Sequence, residues 1–199
     1  MTAEDSPLPN RWSKLLLYAI VALACIVFMG MAGCGFAEKP IDEGEQLLTL
    51  SSPAFSDNGQ IPAKYTCYGE DISPELDWAD VPAATKSLVL IFDDPDSTVG
   101  LLNHWIVFNI GPDVTQLLED AAGRSQLPPG ALQGKNGLGV IGYVGPCPPN
   151  EPPHHYTFTI YALDAFLNLR DGASKSKVVS AMQGHVLGYG RLIGVFQKP

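Results

Sequence analysis

The chain has 199 residues, of which 46% are hydrophobic and 17% charged, with 20 glycines and 17 prolines. This length predicts one domain plus an accessory segment, and the frequent Gly and Pro favour short strands and turns over long helices. The net charge of −9, without any cluster of Lys and Arg, excludes nucleic acid as the expected partner, because an acidic surface repels phosphate backbones.

The N-terminal residues have the layout of an export signal. Arg11 and Lys14 precede an apolar run over 15–32, after which small residues lead to Cys34. Basic, apolar and small residues in this order are typical of a secretory signal peptide, and the end of the run is similar to the bacterial lipoprotein cleavage box. We therefore predict a signal peptide over 1–33 and lipidation of Cys34.

This segment is expected to hold the rest of the chain at a membrane, outside the cytoplasm. Residues 34–45 are expected to form a tether, and 46–199 a single domain. Gly35 after the lipidated cysteine favours an outer-membrane destination in a cell with two membranes. An uncleaved transmembrane anchor is the alternative, because the apolar run of 18 residues is near the minimum length that spans a bilayer core of ~30 Å.

The domain consists of short predicted strands with few helices. Apolar runs bounded by Gly, Pro, Asn or Asp predict strands at Leu47–Leu50, Ser87–Phe92, His104–Ile110, Gly139–Val144, His155–Leu163 and Leu192–Gln197. Helical spacing of apolar residues predicts one helix from about Lys175 to Leu187, and a shorter helix is expected over Asp113–Ala122. Without regular alternation of strands and helices, the pattern favours a mainly β, antiparallel sandwich or barrel-like domain with peripheral helices.

Two of the four cysteines remain available for a disulfide. Cys25 lies in the apolar run and Cys34 would carry the lipid, which leaves Cys67 and Cys147. In an oxidising compartment, a single remaining pair favours a disulfide between these two residues. Two separate thiols are the alternative, because the sequence does not show that the Cα atoms come within bridging distance.

Two polar clusters lie at the ends of predicted strands. Asp93-Asp94-Pro95-Asp96 follows a buried strand, and Pro95 must end the ladder there, which leaves carboxylates at the strand end. His104 opens the next strand, and alternation puts it on one face with Ile106 and Phe108. Each cluster also has a structural explanation: a solvated acidic turn for the first, and a hydrogen-bonded structural histidine for the second.

Two further clusters follow in the C-terminal half. Residues 142–149 (GYVGPCPP) form a rigid extended segment without the Gly-Lys-Ser/Thr of a phosphate-binding P-loop, and an ordinary rigid loop is the alternative explanation. His154 and Tyr156 share one face of a predicted strand, whereas His155 points to the other. Only one of these two histidines can therefore face a given pocket, which argues against a metal site built from this dipeptide.

These clusters belong to a longer series of short motifs. The series comprises Ile61-Pro62, Tyr65-Thr66-Cys67, Ile72-Ser73-Pro74-Glu75-Leu76, Trp78, Asp93-Asp94-Pro95-Asp96, His104-Trp105, Gly145-Pro146-Cys147-Pro148-Pro149, His154, Tyr156 and Tyr161-Ala162-Leu163-Asp164. In this order and spacing, from about Leu48 to Phe196, the chain resembles the phosphatidylethanolamine-binding protein (PEBP) family, specifically its bacterial branch called Raf-kinase-inhibitor-like. The resemblance implies an antiparallel β-sandwich with a few peripheral helices, including a C-terminal helix.

The resemblance also implies a small pocket at one end of the sandwich for phosphate- or carboxylate-type groups. Carried over motif by motif, the residues at this pocket are Asp94, Asp96, His104, Gly145, Pro148, Pro149, His154 and Tyr156. Ser97-Thr98 stands where the family motif continues with Ala-Pro, so the rim is expected to be looser. No metal and no cofactor is implied.

We therefore expect an extracytoplasmic binding protein for a small anion or a phospholipid head group, rather than an enzyme. Protonated His104 and His154 would supply positive charge, since a histidine titrates near pH ~6.5 and neighbouring carboxylates raise that value. Tyr156 and backbone N–H groups near Gly145 would donate further hydrogen bonds. Binding is accordingly expected to weaken as the pH rises through the histidine titration.

Two other functions stay open. A hydrolase, with or without a metal, could use the Asp, His and Tyr side chains for acid–base work, although no Ser or Cys nucleophile is identifiable beside the histidines. An inhibitor or adaptor is the other, because some members of the family act on kinases or proteases. Outside the cytoplasm, a protease or an envelope protein is the more reasonable target, since ATP-dependent kinases lie elsewhere.

Overall fold

In a computed structural model of the protein, the described residues are 44–98, 102–123, 126–149 and 152–199. The predicted signal peptide, the predicted lipidation site Cys34 and nearly all of the predicted tether lie outside these residues. Glu45, the last residue of that tether, already pairs with the domain, since its carbonyl oxygen accepts the N–H of Tyr189 (3.1 Å). Among the helices that the structure describes, none is both long and apolar enough to cross a bilayer.

The described part of the chain forms two β-sheets. The strands are β1 (Thr49–Ser51), β2 (Gly59–Gln60), β3 (Leu76–Ala79), β4 (Ser87–Asp94), β5 (Leu102–Ile110), β6 (Gln116–Leu117), β7 (Leu132–Lys135), β8 (His154–Leu163), β9 (Ala173–Ser174) and β10 (Val186–Phe196). The smaller sheet has the strand order β1-β3-β6, and the larger has the order β2-β10-β8-β4-β5-β7-β9. The long central strands β10, β8, β4 and β5 pair antiparallel, whereas the short strands β2 and β9 pair parallel with β10 and β7.

Alternation along β4 divides the core into two layers. Leu88, Leu90 and Phe92 belong to a core to which both sheets contribute, whereas Val89 and Ile91 belong to a second core on the opposite face of the larger sheet. The helix α1 (Lys175–Met182) covers this second face with its buried residues Val178, Val179 and Met182. Burial of β4 on both faces explains why its sequence is apolar almost throughout.

The predicted fold class is confirmed: the domain is mainly β, with two sheets and one short α-helix in the C-terminal region. Strands are present at five of the six predicted positions, with ends that differ by a few residues. The predicted helix over Lys175–Leu187 ends earlier, at Met182. Gly184 adopts a left-handed conformation (φ 79°) that stops the helix, and β10 begins two residues later.

Two predicted elements are wrong. The segment Gly139–Val144 is a loop rather than a strand, because the side chain of Asn136 ties it to β7. Its oxygen accepts the N–H groups of Leu138 (3.0 Å) and Val140 (3.1 Å), and its amide donates to the carbonyl oxygen of Gly142 (3.1 Å). The segment Asp113–Ala122 contains the strand β6 instead of a helix, and Leu117 is buried there opposite Leu76 of β3.

Candidate functional site

One cavity lies where the C-terminal end of β4 meets the N-terminal ends of its antiparallel neighbours β5 and β8. Its volume is about 260 Å³. The lining residues are Asp94, Ser97, Thr98, Leu102, His104, Leu138, Val144, Gly145, Cys147, Pro148, Pro149 and His154. Six of the eight site residues predicted from the sequence are in this set; the other two, Asp96 and Tyr156, lie beside it. Among the described lining residues, none is a lysine or an arginine.

Asp94 and His154 form a buried pair in the wall of this cavity. Nδ1–H of His154 donates to Oδ2 of Asp94 (2.8 Å), and both side chains are 5% exposed. The other carboxylate oxygen of Asp94 accepts the N–H of Asp96 (2.9 Å), so both oxygens are engaged. This arrangement orients the His154 ring and leaves its Nε2 as the nitrogen that can contact a ligand.

A β-bulge places His104 on the cavity side of the sheet. Phe92 pairs with Trp105, but the next residue of β4 pairs with Asn103, so His104 has no partner in the ladder. Its ring contacts Phe92 (centroids 5.1 Å apart) and Tyr156 (5.4 Å). Ile106 and Phe108, by contrast, belong to the core on the opposite face. The predicted common face of His104, Ile106 and Phe108 is therefore wrong, because the bulge interrupts strand alternation.

The hydrogen bond of His104 fixes which ring nitrogen carries the proton. Nδ1 lies 2.8 Å from the carbonyl oxygen of Val144, which can only accept, so Nδ1 carries hydrogen. In the neutral ring, Nε2 is therefore the unprotonated nitrogen. Nε2 is buried, and in the described part of the chain it has no hydrogen-bond partner.

Burial lowers the pKa of His104 below its ordinary value of 6.5. The hydrogen bond to Val144 and the charge of Asp94 act in the opposite direction, but burial has the larger effect. The carboxylates thus raise the pKa of His104, as expected from the sequence, but the larger effect of burial leaves the net pKa lowered. His104 is a neutral imidazole at neutral pH in the free protein.

Tyr156 lies behind the two cavity histidines rather than at the surface of the cavity. It is fully buried, and its ring packs against His104 (5.4 Å) and His154 (6.1 Å). Its hydroxyl has no hydrogen-bond partner within the described ranges. Burial, followed by the charges of Asp94 and Asp96, raises the pKa of Tyr156 far above its ordinary value, so the phenol stays neutral.

Asp96 pairs with the surface histidine instead of lining the cavity. One of its oxygens accepts both the N–H and the ring Nδ1–H of His155, each at 2.8 Å. These two hydrogen bonds lower the pKa of Asp96 below its ordinary range. His154 is buried and His155 exposed, as alternation along β8 predicts.

The proline-rich segment forms one wall, and a disulfide fastens it. Cys147 is bonded to Cys67, with 5.4 Å between their Cα atoms, so the two cysteines are not separate thiols. The N–H of Gly145 donates to Oδ1 of Asp71 (2.7 Å). It is therefore not available to a ligand, contrary to the expectation from the sequence. A side chain at Gly145 would also collide with backbone atoms of Tyr65 and Thr66.

Several residues that shape the site were missed by the sequence analysis. Leu102, Leu138 and Val144 provide an apolar part of the lining, and Leu138 is 66% exposed at the rim. Tyr143 stacks on Phe92 (5.7 Å) and donates its hydroxyl to the carbonyl oxygen of Tyr65 (2.6 Å). The Asn136-Gly137 turn signal could have indicated that the segment holding Leu138 and Tyr143 is a loop.

A second depression in the surface lacks comparable chemistry. It has a volume of about 350 Å³ and is lined by Leu127, Pro128, Pro129, Gly130, Ala131, Gln133 and Asp171. The side chain of Gln133 is satisfied, because its oxygen accepts Trp105 Nε1–H and its amide donates to Ala122. Within the described residues, no group of three or more His, Cys, Asp or Glu side chains is placed to hold a metal ion.

Comparisons with known proteins match this chain over nearly the whole described domain. The family profile described as phosphatidylethanolamine-binding protein matches residues 51–197. A UPF0098 protein of Methanothermobacter thermautotrophicus is 50% identical over 151 residues, which cover 76% of this chain and 99% of that protein. A UPF0098 protein of Chlamydia trachomatis is 44% identical over 156 residues, covering 76% and 99%.

Solved structures agree with the fold. The crystal structure of a PEBP homolog from Chlamydia trachomatis has a TM-score of 0.71 and 42% identity, and the match covers 78% of this chain and 100% of that chain. The structure of Escherichia coli YbcL, described as a member of the mammalian PEBP family, has a TM-score of 0.73 and 31% identity, covering 77% and 99%. The overall fold is thus shared with these proteins.

Proposed function

Because the chain belongs to the phosphatidylethanolamine-binding protein family, we propose that it is a binding protein whose cavity holds a phosphate- or carboxylate-type head group. The observation that carries the proposal is the meeting of Asp94, His104 and His154 at one cavity. The volume of about 260 Å³ lies just below the range of ~300–1,000 Å³ that is usual for ligand pockets. It suits a head group better than a complete lipid.

The lining supports an anion by hydrogen bonding. The hydroxyl groups of Ser97 and Thr98 are donors at the rim, and the imidazole of His104 becomes a donor deeper in the wall once it is protonated. His154 adds a second imidazole to the same wall. Apolar residues at the rim reduce the exposure of these contacts to water, which strengthens them. These features favour a small oxyanion as the ligand.

We further propose that the domain acts outside the cytoplasm, tethered through a lipid on Cys34. The Cys67–Cys147 disulfide supports this location, because disulfides persist in oxidising compartments. A protease or envelope protein that is inhibited or recruited through the same cavity is a candidate partner. A pull-down with wild type and the His154→Ala variant would distinguish a partner that needs the cavity from one that binds elsewhere.

Calorimetry and native mass spectrometry of the full-length protein in a maltoside detergent test the binding function. The ligands are inorganic phosphate, acetate, phosphoethanolamine and glycerophosphoethanolamine, so that a free anion is distinguished from a lipid head group. His154→Asn retains a donor to Asp94 but removes Nε2. We expect it to weaken binding at least about tenfold, since a hydrogen bond to a charged group contributes about 1.5–3 kcal/mol.

His185→Asn is the matched control, because His185 is an exposed histidine paired with Asp164 (2.8 Å). This variant should bind like wild type. Absence of binding for all four ligands, in solution and as co-purified adducts, would overturn the proposal. Equal loss in both variants would show that the cavity is not the site.

One observation favours a hydrolase as the second candidate. A carboxylate that accepts Nδ1–H of a histidine, as Asp94 does for His154, is the arrangement that orients a catalytic base. We propose binding without turnover, because Cys147 in the described lining is held in a disulfide, and Ser97 at the rim has no hydrogen bond to His104 or His154 in the described part of the chain. Turnover of p-nitrophenyl phosphate or acetate that is lost in His154→Asn would favour the hydrolase instead.

A further inference from the structure

We propose that anion binding is coupled to proton uptake at His104: an oxyanion enters the cavity together with one proton, which is bound by Nε2 of that ring. This inference rests on the proposed function and specifies how the cavity tolerates its ligand. It assigns different tasks to the two cavity histidines. His154 is held by a carboxylate, whereas His104 is held by a backbone carbonyl and gains a proton only with the ligand.

The geometry around His104 leaves one nitrogen for this task. Nδ1–H is committed to the carbonyl oxygen of Val144 (2.8 Å), so the neutral ring presents a lone pair at Nε2. This nitrogen is buried and, among the described residues, unpartnered. A lone pair repels the oxygens of an anion, but protonation turns the same nitrogen into a donor. With the added proton, Nε2 can donate a hydrogen bond to the anion.

In the part of the cavity wall that the structure describes, no lysine or arginine could replace this proton. Lys175 is committed elsewhere, because its ammonium group contacts both carboxylate oxygens of Asp93 (2.9 Å each). Both oxygens of Asp94 are also occupied. A buried anion without a compensating charge is strongly disfavoured, so the ligand needs positive charge that arrives with it.

The titratable groups around His104 come from three parts of the fold. Asp94 at the end of β4 and Asp71 behind the proline-rich wall favour the charged ring through their carboxylates. Tyr156 on β8 contacts the ring, and His154 on the same strand contacts Tyr156. Burial keeps Tyr156 neutral and is also the effect that holds His104 neutral in the free protein.

An incoming anion changes this balance in a predictable direction. Its charge adds to those of the two carboxylates and raises the pKa of His104 in the complex above that in the free protein. Protons are therefore taken up at a pH between these two pKa values. By linkage, the affinity in that window falls as the pH rises, by up to about tenfold per pH unit for one proton.

Calorimetry with sulfate at pH 7.5 tests the coupling on the full-length protein in maltoside detergent. Sulfate keeps its charge in this range, so any proton taken up must bind to the protein. The titration is repeated in Tris, HEPES and PIPES, whose ionisation enthalpies differ, and the slope of observed enthalpy against ionisation enthalpy gives the number of protons. We expect close to one proton per bound sulfate and an affinity that falls from pH 7 to 8.

Three variants assign the proton to its residue. His104→Asn retains a donor to Val144 but removes Nε2, and it should reduce the proton number to near zero and weaken binding at least about tenfold at pH 7. His154→Asn should bind more weakly but still take up a proton. His185→Asn should match wild type in both affinity and proton number. Proton uptake that survives in His104→Asn would overturn the assignment.

A measurement on wild type covers the case in which His104→Asn fails to fold. In a nitrogen-15 spectrum of the histidine rings, sulfate should move the Nε2 signal of His104 from the unprotonated to the protonated range. Binding of sulfate without proton uptake, or without this shift, contradicts the coupling and leaves the binding function intact. Absence of any binding by sulfate, phosphate, acetate or phosphoethanolamine overturns the proposed function itself, and the coupling with it.

Discussion

Consecutive residues of β8 form two histidine–aspartate pairs that share their chemistry and differ in burial. His154 and Asp94 are 2.8 Å apart with side chains that are 5% exposed. His155 and Asp96 are also 2.8 Å apart, but their side chains are 56% and 43% exposed. The same contact is therefore expected to contribute differently to the free energy of unfolding on the two sides of the strand. Burial makes a broken contact costly at the cavity, whereas water replaces it at the surface.

The Cys67–Cys147 disulfide lies on the cavity side, and its removal should have the largest effect on the free energy of unfolding. The double variant Cys67→Ser/Cys147→Ser should unfold at lower urea concentration, with a loss of about 4–5 kcal/mol, because the disulfide closes a loop over a separation of 80 residues. Reductant should lower the stability of wild type but not of the variant. Equal urea midpoints for the two proteins would contradict the loop-closure argument.

Breaking the buried pair comes next. Asp94→Ala should lower the free energy of unfolding by about 3 kcal/mol, because it leaves a buried imidazole without its acceptor. Asp94→Asn keeps a polar atom at the same place and should cost less. Urea denaturation at pH 7 measures both values. A cost for Asp94→Ala no larger than that of Asp96→Ala would show that burial does not separate the two pairs.

The lowered pKa of His104 predicts a smaller effect that depends on pH. The unfolded chain binds a proton below about pH 6.5, whereas the folded protein does so only at lower pH, so the free energy of unfolding should fall as the pH drops through this window. His104→Asn should show a shallower decline than wild type, and His185→Asn an unchanged one. Urea midpoints between pH 5 and 8 report the slopes. Parallel curves for wild type and His104→Asn would contradict the burial effect.

The exposed pair should show the smallest effect. Asp96→Ala is expected to cost at most about 1 kcal/mol, comparable with Asp164→Ala at the other exposed pair, and the cost should shrink in 1 M salt. The lowered pKa of Asp96 determines how the stabilisation from this pair changes with pH. It is present at neutral pH and is lost as the pH falls through the folded-state pKa, below 3.8. A cost of Asp96→Ala close to that of Asp94→Ala would contradict the expected difference between the exposed and the buried pair.

Much of the site could be predicted because short motifs carry it. Alternation alone separates His154 from His155, since residue spacing in a strand does not depend on the partner strand. Leu102, Leu138 and Val144 could not be found in this way. These apolar residues reach the cavity only through the pairing of β5 and the loop that Asn136 ties to β7.

Two of the remaining errors arise from contacts between segments far apart in the chain. The bulge that turns His104 towards Phe92 is set by its register with β4. The committed N–H of Gly145 depends on Asp71, more than seventy residues away. The helix ends before its predicted limit for a local reason, because Gly184 adopts a left-handed conformation, and β10 then begins at Val186, where it pairs with Leu163.

By itself, the sequence determined the β-rich class, the order of the polar clusters and the faces of β8, because composition and strand periodicity are local properties. Only the tertiary structure decided that Asp94 is buried against His154, that Asp96 is not part of the cavity wall, and that burial makes His104 a neutral imidazole. Desolvation depends on everything that packs around a group, and no local pattern of residues records it.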